Sequence, residues 1–151
     1  MAIEDDVRAL AQVPLFQGFT SEQLRLIAFG TEHMAMNKGR ELFREGESGD
    51  CGFLIVKGSV NLVKDRDASR SIVSTVNQGS LLGELALIAP VERQTGAVCA
   101  TDCQVIRISR LLVRRVLDEY PDLAARLHAQ LAANFGAMIN KITKLERRFQ
   151  D

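Results

Sequence analysis

One stretch of the sequence places a glycine, a carboxylate and a guanidinium at a spacing that suits a small anionic ligand. Gly83 and Glu84 open a short helix-compatible run, and Arg93 follows nine residues after Glu84. A glycine that leads into a short helix leaves backbone N–H groups without intrahelical acceptors, and such donors bind anions. A carboxylate accepts hydrogen bonds from sugar hydroxyls, and a guanidinium holds a phosphate through two parallel bonds. The stretch therefore predicts a site for a small phosphorylated sugar.

Signatures of catalysis and metal binding are scarce. The chain has no GxSxG, HExxH, GxGxxG or GxxxxGK pattern. His33 and His128 are its two histidines and lie far apart in the sequence, so they do not form the clustered set that a catalytic metal needs. Cys99 and Cys103 could share a face, but without further ligands they are better read as small core residues. We expect no enzyme, no metal and no cofactor other than a reversibly bound ligand.

The elements that must position the anion site are predicted to be mainly β. Glycines concentrate in the middle third of the chain. Between them lie short β-branched or apolar runs at 53–56, 60–63, 72–76 and 105–108. Several short strands separated by turn residues favour an antiparallel sandwich or barrel. The polar residues 65–70 then predict an exposed hairpin loop.

Both ends of the chain have helical periodicity. Residues 3–12 and 21–30 predict two short helices broken by Pro14, with Thr20 or Ser21 as the cap of the second. Ser109 is a candidate cap for another short helix that ends near Tyr120. Pro121 suits the first position of the next helix because its missing N–H would have had no partner there.

The last predicted helix carries one long apolar stripe. Its members recur at intervals of three or four residues and are Leu123, Leu127, Leu131, Phe135, Met138, Ile142, Leu145 and Phe149. At ~1.5 Å per residue, a helix from Pro121 to about Phe149 is roughly 44 Å long, more than a compact domain of this size can cover. We therefore expect a homodimer that pairs through this helix.

Composition and charge restrict the class of protein further. The 151 residues suffice for one domain, and 46% hydrophobic with 25% charged residues is typical of a globular chain. Nineteen basic and nineteen acidic residues cancel, which removes the electrostatic argument for a nucleic-acid or membrane partner. The basic residues near the C-terminus suit the end of a helix; they are Lys141, Lys144, Arg147 and Arg148.

Cysteine usage and the N-terminus favour a cytoplasmic protein. Three cysteines, with no CxxC pair, do not make a disulfide framework. The early acidic residues of the sequence do not suit a secretory signal or a transit peptide. No uninterrupted apolar run approaches the ~20 residues that span a bilayer.

The run Gly83-Glu84-Leu85-Ala86-Leu87, followed by Arg93, resembles the phosphate-binding cassette of the cyclic-nucleotide-binding domain family. The resemblance covers nearly the whole chain. Residues 42–50 resemble the family's first turn, and residues 58–60 its second. Residues 77–79 and 120–123 are most similar to the ligand-binding domain of the bacterial catabolite activator branch.

The resemblance implies roles for residues in and around the cassette. Glu84 would bind the ribose 2′-hydroxyl and Arg93 the cyclic phosphate, while the N–H groups after Gly83 would take the remaining oxygens. Gln94 and Thr95 stand where small residues are usual in the family, and Gln94 can still donate to a phosphate. The residues expected beside the base are Val73 and Ser74 from the roll and Met138 and Ile139 from the long helix. The last two replace a hydroxyl pair that reads adenine in the activator branch, so we expect weak base discrimination.

These observations predict an α+β, mainly β, protein with a single domain over 1–151. We expect N-terminal helices within 3–30, an antiparallel β-roll or jelly roll of about eight strands within 40–108, and C-terminal helices within 110–149. The predicted function is a regulatory module that binds a cyclic nucleotide and signals through its C-terminal helices to an unknown effector. Cyclic AMP is the first candidate ligand and cyclic GMP the second. The chain ends at Asp151, where the activator branch continues into a helix-turn-helix domain, so we expect no DNA-reading element. The alternative is a ligand-free docking or dimerisation module on the same fold.

Overall fold

The computed structural model describes residues 3–66, 69–130 and 132–133. Three α-helices are α1 (Ile3–Ala11), α2 (Ser21–Gly30) and α3 (Arg110–Glu119), and two 3₁₀ turns cover Pro14–Phe16 and Leu85–Leu87. Residues 121–130 and 132–133 are also helical. The chain divides into two compact units, of which the first ends at Val116 and the second begins at Leu117.

The strands of the first unit form antiparallel sheets. They are β1 (Glu32–Met36), β2 (Glu41–Phe43), β3 (Ser48–Gly49), β4 (Cys51–Lys57), β5 (Ser59–Arg66), β6 (Ser69–Asn77), β7 (Leu81–Leu82), β8 (Val91–Glu92), β9 (Gly96–Cys99) and β10 (Cys103–Ser109). One four-stranded sheet has the order β1-β10-β4-β7, the other has the order β2-β9-β5-β6, and β3 pairs with β8. The prediction of a mainly β, antiparallel roll with flanking helices is confirmed.

The described roll has ten strands where the apolar pattern predicts about eight. Three of them, β3, β7 and β8, are two residues long. A two-residue strand is too short to show an alternation of apolar and polar residues, so it leaves no periodic signal in a sequence. These short strands matter here because β7 and β8 lie next to the predicted anion site in the sequence and β3 pairs with β8.

The predicted hairpin loop at 65–70 is shorter than expected. Strand β5 continues to Arg66 and β6 begins at Ser69, with Asp65 opposite Arg70 in the ladder. The Arg70 Nε atom lies 3.0 Å from Asp65 Oδ1. Opposite charges that face each other across two strands stabilise the pairing of those strands. The ion pair therefore extends the strands over polar residues whose types alone predict a loop.

The hydrophobic core of the first unit packs side chains of the two four-stranded sheets against each other. Val60 and Ala97 come from one sheet, and Phe53, Ile55 and Val105 come from the other; all five are buried. The three cysteines are buried free thiols. The reading of Cys99 and Cys103 as core residues agrees with their burial in this cluster.

Side chains cap the helices where the sequence indicates. Thr20 and Gln23 form a reciprocal capping box at the start of α2. The Ser109 hydroxyl accepts a hydrogen bond from the Leu112 N–H at 3.1 Å and caps α3. His33 places Nε2 at 2.8 Å from Asp6 Oδ2, a contact that joins α1 to β1.

The predicted long C-terminal helix lies partly outside the described residues. Within the second unit, Pro121 begins the helical segment, and the stripe residues Leu123 and Leu127 are buried. Leu131 and the stripe residues from Phe135 onward lie outside the described residues, so the pairing of this helix stays a prediction. Among the helices that the structure describes, none is long and apolar enough to cross a membrane.

Candidate functional site

A cavity of about 630 Å³ opens beside the 3₁₀ turn that follows β7. The predicted site residues that line it are Gly83, Glu84, Leu85, Ala86, Arg93, Gln94 and Thr95. Its remaining wall is formed by Phe43, Leu62, Val76, Leu81, Leu82, Val91 and Glu92. The structure thus brings the predicted glycine, carboxylate and guanidinium to one cavity.

The residues predicted to lie near a base are not part of the described cavity wall. Ser74 is opposite Leu62, which does line the cavity, but Ser74 itself is exposed on β6. Val73 is 57% exposed and falls at a register shift of the β5–β6 pair. Met138 and Ile139 lie outside the described residues. A role for these four residues at a base remains a prediction.

Arg93 is a buried cation for which the described residues provide no carboxylate partner. Its side chain is 7% exposed, and Nη2 donates to the Cys51 carbonyl at 2.7 Å. The Cζ atom lies 4.3 Å from the centre of the Phe43 ring. No carboxylate among the described residues comes within 4.0 Å of the guanidinium. The described protein groups therefore hold Arg93 in position and leave its charge uncompensated.

Two of the three guanidinium nitrogens remain available for a ligand. Nε and Nη1 of Arg93 make no hydrogen bond with the described residues. In the described part of the chain, each side-chain nitrogen or oxygen atom that has no contact with solvent has a hydrogen-bond partner. Nε and Nη1 must therefore be open to solvent. Each of these two nitrogens can donate a charge-assisted hydrogen bond to a phosphate oxygen.

Glycines make room for this guanidinium on two sides. A Cβ atom at Gly49 would lie 3.0 Å from both Cζ and Nε of Arg93, and one at Gly83 would collide with Nη1. Gly83 also has φ +81°, a conformation that most other residues adopt at a cost. Gly83 is required for the arginine to lie where it does, and any larger residue at position 49 would have to displace the guanidinium or Ala86 by a few tenths of an ångström.

The turn after Gly83 supplies further donors. The first backbone N–H that bonds within this turn is that of Ala86, which donates to the Gly83 carbonyl at 3.0 Å. The N–H groups of Glu84 and Leu85 have no acceptor among the described residues. Glu84 is exposed at the cavity, where its carboxylate can accept from hydroxyl groups of a ligand.

Polar and apolar groups occupy different parts of the cavity wall. Its charged and polar side chains are Glu84, Glu92, Arg93, Gln94 and Thr95. The wall formed by the strands before Gly83 is apolar and consists of Phe43, Leu62, Val76, Leu81 and Leu82. A ligand with an anionic, hydroxylated end and an apolar ring fits this division.

Sequence reasoning did not find the residues that hold Arg93. Gly49 and Cys51 touch its side chain, and Phe43 stacks on it. The Arg93 backbone is fixed by bonds to Gly46 and Glu47, both at 2.8 Å. The resemblance of residues 42–50 to a family turn is the one sequence signal for this part of the chain, and it predicted no contact between these residues and Arg93.

The described residues assemble no metal-ligand set, and Cys51 and Cys99 are not activated thiols. No three His, Cys, Asp or Glu side chains within them converge as metal ligands. Burial raises the pKa of the Cys51 thiol. Burial, followed by the hydrogen bond with Cys103, raises the pKa of Cys99 to about 12. Both thiols stay protonated at neutral pH, and the protonated form is a poor nucleophile and metal ligand.

The structure combines an antiparallel β-roll with a cavity whose wall includes a buried arginine. The family model "Cyclic nucleotide-binding domain" matches residues 34–120, which include every described residue named at the cavity. The chain belongs to the cyclic nucleotide-binding domain family.

Three similar proteins illustrate the relationship. The chain is 36% identical over 106 residues to the cAMP-activated global transcriptional regulator CRP of Escherichia coli O6:H1, covering 69% of this chain and 50% of that one. It is 36% identical over 103 residues to a cAMP-dependent protein kinase regulatory subunit of Eremothecium gossypii, covering 68% of this chain and 22% of the other. A cyclic nucleotide-binding-like protein of Brucella abortus has 51% identity and a TM-score of 0.71, over 76% of this chain and 98% of that structure. The chain thus spans half or less of the two named regulators.

Proposed function

We propose that the cavity reversibly binds a 3′,5′-cyclic nucleotide, with cyclic AMP as the preferred candidate. The observation that carries the proposal is the Arg93 guanidinium, which is 7% exposed and has no carboxylate within 4.0 Å among the described residues. A charge that is buried without a partner destabilises a fold. An anionic ligand would remove that cost, and a phosphate diester carries the single negative charge that one arginine balances.

The rest of the cavity supports a nucleotide over a simple anion. Glu84 lies beside the N–H donors of the turn. Its carboxylate suits the ribose 2′-hydroxyl, because that uncharged group can donate a hydrogen bond to it. The apolar wall that includes Leu62 and Val76 suits the face of a base. In this arrangement Arg93 and the free N–H groups of Glu84 and Leu85 hold the phosphate oxygens.

The names of two relatives favour cyclic AMP. The CRP relative is described as cAMP-activated and the kinase subunit as cAMP-dependent. Both matches cover about two thirds of this chain, the part that contains the cavity. Cyclic GMP remains the second candidate because the described wall offers no hydrogen-bonding side chain outside residues 83–95.

We propose that the domain acts as a regulatory module without catalysis of its own. Ligand binding would be transmitted through the C-terminal helices to an effector of unknown identity, in a cytoplasmic homodimer, without nucleic acid or membrane as a direct partner. The rival function is a docking module that has lost its ligand. The uncompensated guanidinium argues against that rival, because a site that no longer binds an anion gains from replacing its buried cation.

Calorimetric titration tests the proposal. We expect cyclic AMP to bind with one site per chain, and adenosine 5′-monophosphate at the same concentrations to bind far more weakly. The linear nucleotide is the matched control because it has the same base and sugar but a dianionic, differently placed phosphate. Failure of both cyclic AMP and cyclic GMP to bind at millimolar concentration contradicts the proposal and favours the docking module.

A further inference from the structure

Three consecutive residues connect the buried arginine with the first residue of α3. The segment consists of Gly49, Asp50 and Cys51, and each of its carbonyl oxygens accepts a hydrogen bond from an arginine. Arg110 Nη1 donates to the Gly49 oxygen at 3.1 Å, and the Arg110 backbone N–H donates to the Asp50 oxygen at 2.8 Å. Arg93 Nη2 donates to the Cys51 oxygen at 2.7 Å.

The segment is in direct contact with the Arg93 guanidinium on a second side. Gly49 lies so close that a Cβ atom there would be 3.0 Å from Cζ and Nε. A shift of this segment changes both the space beside the guanidinium at Gly49 and the position of the Cys51 oxygen that accepts from Nη2. The position of Arg93 depends on what fixes residues 49–51.

Arg110 is the side chain best placed to fix them. Its bond to the Gly49 oxygen comes from a charged donor, and such bonds are about twice as strong as neutral ones. Arg107 is the other cation nearby, but its contact is with the Asp50 carboxylate at 3.9 Å, and that carboxylate is 69% exposed. An ion pair this long and this exposed contributes little to holding the segment in place. Arg110, in contrast, donates directly to a main-chain oxygen of the segment.

We propose that Arg110 is a positioning residue for the anion site, on the premise that the cavity binds a cyclic nucleotide as set out above. Arg110 holds Gly49, Gly49 and Cys51 hold Arg93, and Arg93 holds the phosphate. Because Arg110 is also the first residue of α3, ligand occupancy and the conformation of this helix start are coupled. The coupling is reciprocal: any change that displaces Arg110 lowers ligand affinity, and ligand binding restrains Arg110.

The first test uses the ligand-free protein. The Arg93 Nε–H gives a side-chain signal in a ¹H–¹⁵N spectrum, and the order parameter of this N–H bond, from ¹⁵N relaxation, reports how firmly the guanidinium is held. We expect Arg110→Gln to lower this order parameter from the range of rigid groups toward that of flexible ones, because residues 49–51 lose one charge-assisted hydrogen bond. Arg110→Lys, which keeps a charged donor, should restore part of the order. An unchanged Arg93 signal in Arg110→Gln overturns the proposal.

Arg114→Gln is the matched control for this test. Arg114 lies one turn further along α3, lines the same surface crevice as Arg110, and makes no hydrogen bond with the described residues. Its removal changes the local charge equally and should leave the Arg93 signal as it is in the parent. Equal effects of the two variants would mean that charge alone acts, and would also overturn the proposal.

The second test measures coupling in ligand binding. Arg110→Gln should weaken cyclic AMP binding about tenfold in a protein that still unfolds cooperatively, and Arg114→Gln should leave the affinity within twofold. If Arg110 acts through Arg93, then combining Arg110→Gln with Arg93→Lys should cost little more than Arg93→Lys alone. Fully additive losses contradict the proposal. If the parent binds no cyclic nucleotide, the proposed function fails, while the Arg93 signal of the ligand-free protein still decides the role of Arg110.

Discussion

The guanidinium of Arg93 stacks on the ring of Phe43, with 4.3 Å between Cζ and the ring centre. An aromatic face attracts a cation and excludes water from one side of it, but it carries no net charge. Phe43 therefore orients the guanidinium without neutralising it. The guanidinium therefore keeps its full positive charge at the cavity wall. The Phe43 ring and the Cys51 carbonyl orient it but carry no negative charge that would replace a ligand phosphate.

Arg93→Gln should cause the largest loss of ligand affinity of any single change in the cassette. The substitution leaves the phosphate charge of the ligand without its partner, which costs about 2–5 kcal/mol, or upwards of about thirtyfold in affinity. Titration with cyclic AMP measures it, and Arg114→Gln serves as the control for loss of one positive charge. If the Arg93→Gln protein binds as tightly as the parent, the ligand site lies elsewhere.

Glu84→Gln should have a smaller effect than the loss of Arg93. The amide oxygen still accepts from a ribose hydroxyl, but the charge that strengthens the bond is gone, so we expect a loss of about three- to tenfold. The 2′-deoxy analogue of cyclic AMP provides the control ligand, since it lacks the hydroxyl and should bind parent and variant alike. A loss that persists with the deoxy analogue would show that Glu84 acts in another way.

Gly49→Ala should damage both stability and binding. Its added Cβ would meet Cζ and Nε of Arg93 at 3.0 Å and Ala86 Cβ at 3.1 Å, and overpacking of this kind costs about 1–3 kcal/mol. Thermal unfolding and titration measure the two effects. Gly18→Ala is the control, because a Cβ there has no neighbour within 4 Å and its φ is not positive; we expect it to change stability by no more than about 0.5 kcal/mol.

Affinities for cyclic AMP and cyclic GMP should lie within about a factor of a hundred of each other. The described wall away from residues 83–95 is apolar, and a wall without buried polar groups separates two similar rings poorly. One titration series with both ligands measures the ratio. A gap larger than a hundredfold would show that a polar group reads the base, and Ser74→Ala would then test the hydroxyl predicted to lie near it.

The C-terminal stripe should hold two chains together. Phe135, Met138, Ile142, Leu145 and Phe149 lie outside the described residues, so this prediction depends on their spacing in the sequence. We expect light scattering to give the mass of a dimer for the parent and of a monomer for the double variant Ile142→Glu with Leu145→Glu. Lys141→Glu with Lys144→Glu is the control off the stripe. A parent that is monomeric at tens of micromolar with saturating nucleotide would contradict the dimer.

Local patterns account for the part of the site that the sequence predicted. Gly83, Glu84 and Arg93 lie within one continuous stretch, so their types and spacing are visible without knowledge of the fold. The same holds for the capping pair Thr20 and Gln23 and for the apolar runs that became β4, β5, β6 and β10. Short-range hydrogen bonding and side-chain periodicity determine such features, and both can be read from neighbouring residues.

Tertiary structure decided what surrounds the arginine. Phe43, Gly49 and Cys51 reach Arg93 across more than 40 residues of chain, and Arg110 reaches Gly49 across 61. These contacts arise because β2 pairs with β9, β3 with β8, and β4 with β10. Pairing between distant strands is selected by the packing of the whole core and not by any local pattern. The sequence determined by itself that an arginine would follow the glycine-led turn. Only the packed sheets determined that this arginine would be buried, stacked on Phe43 and without a carboxylate neighbour in the part of the chain that the structure describes.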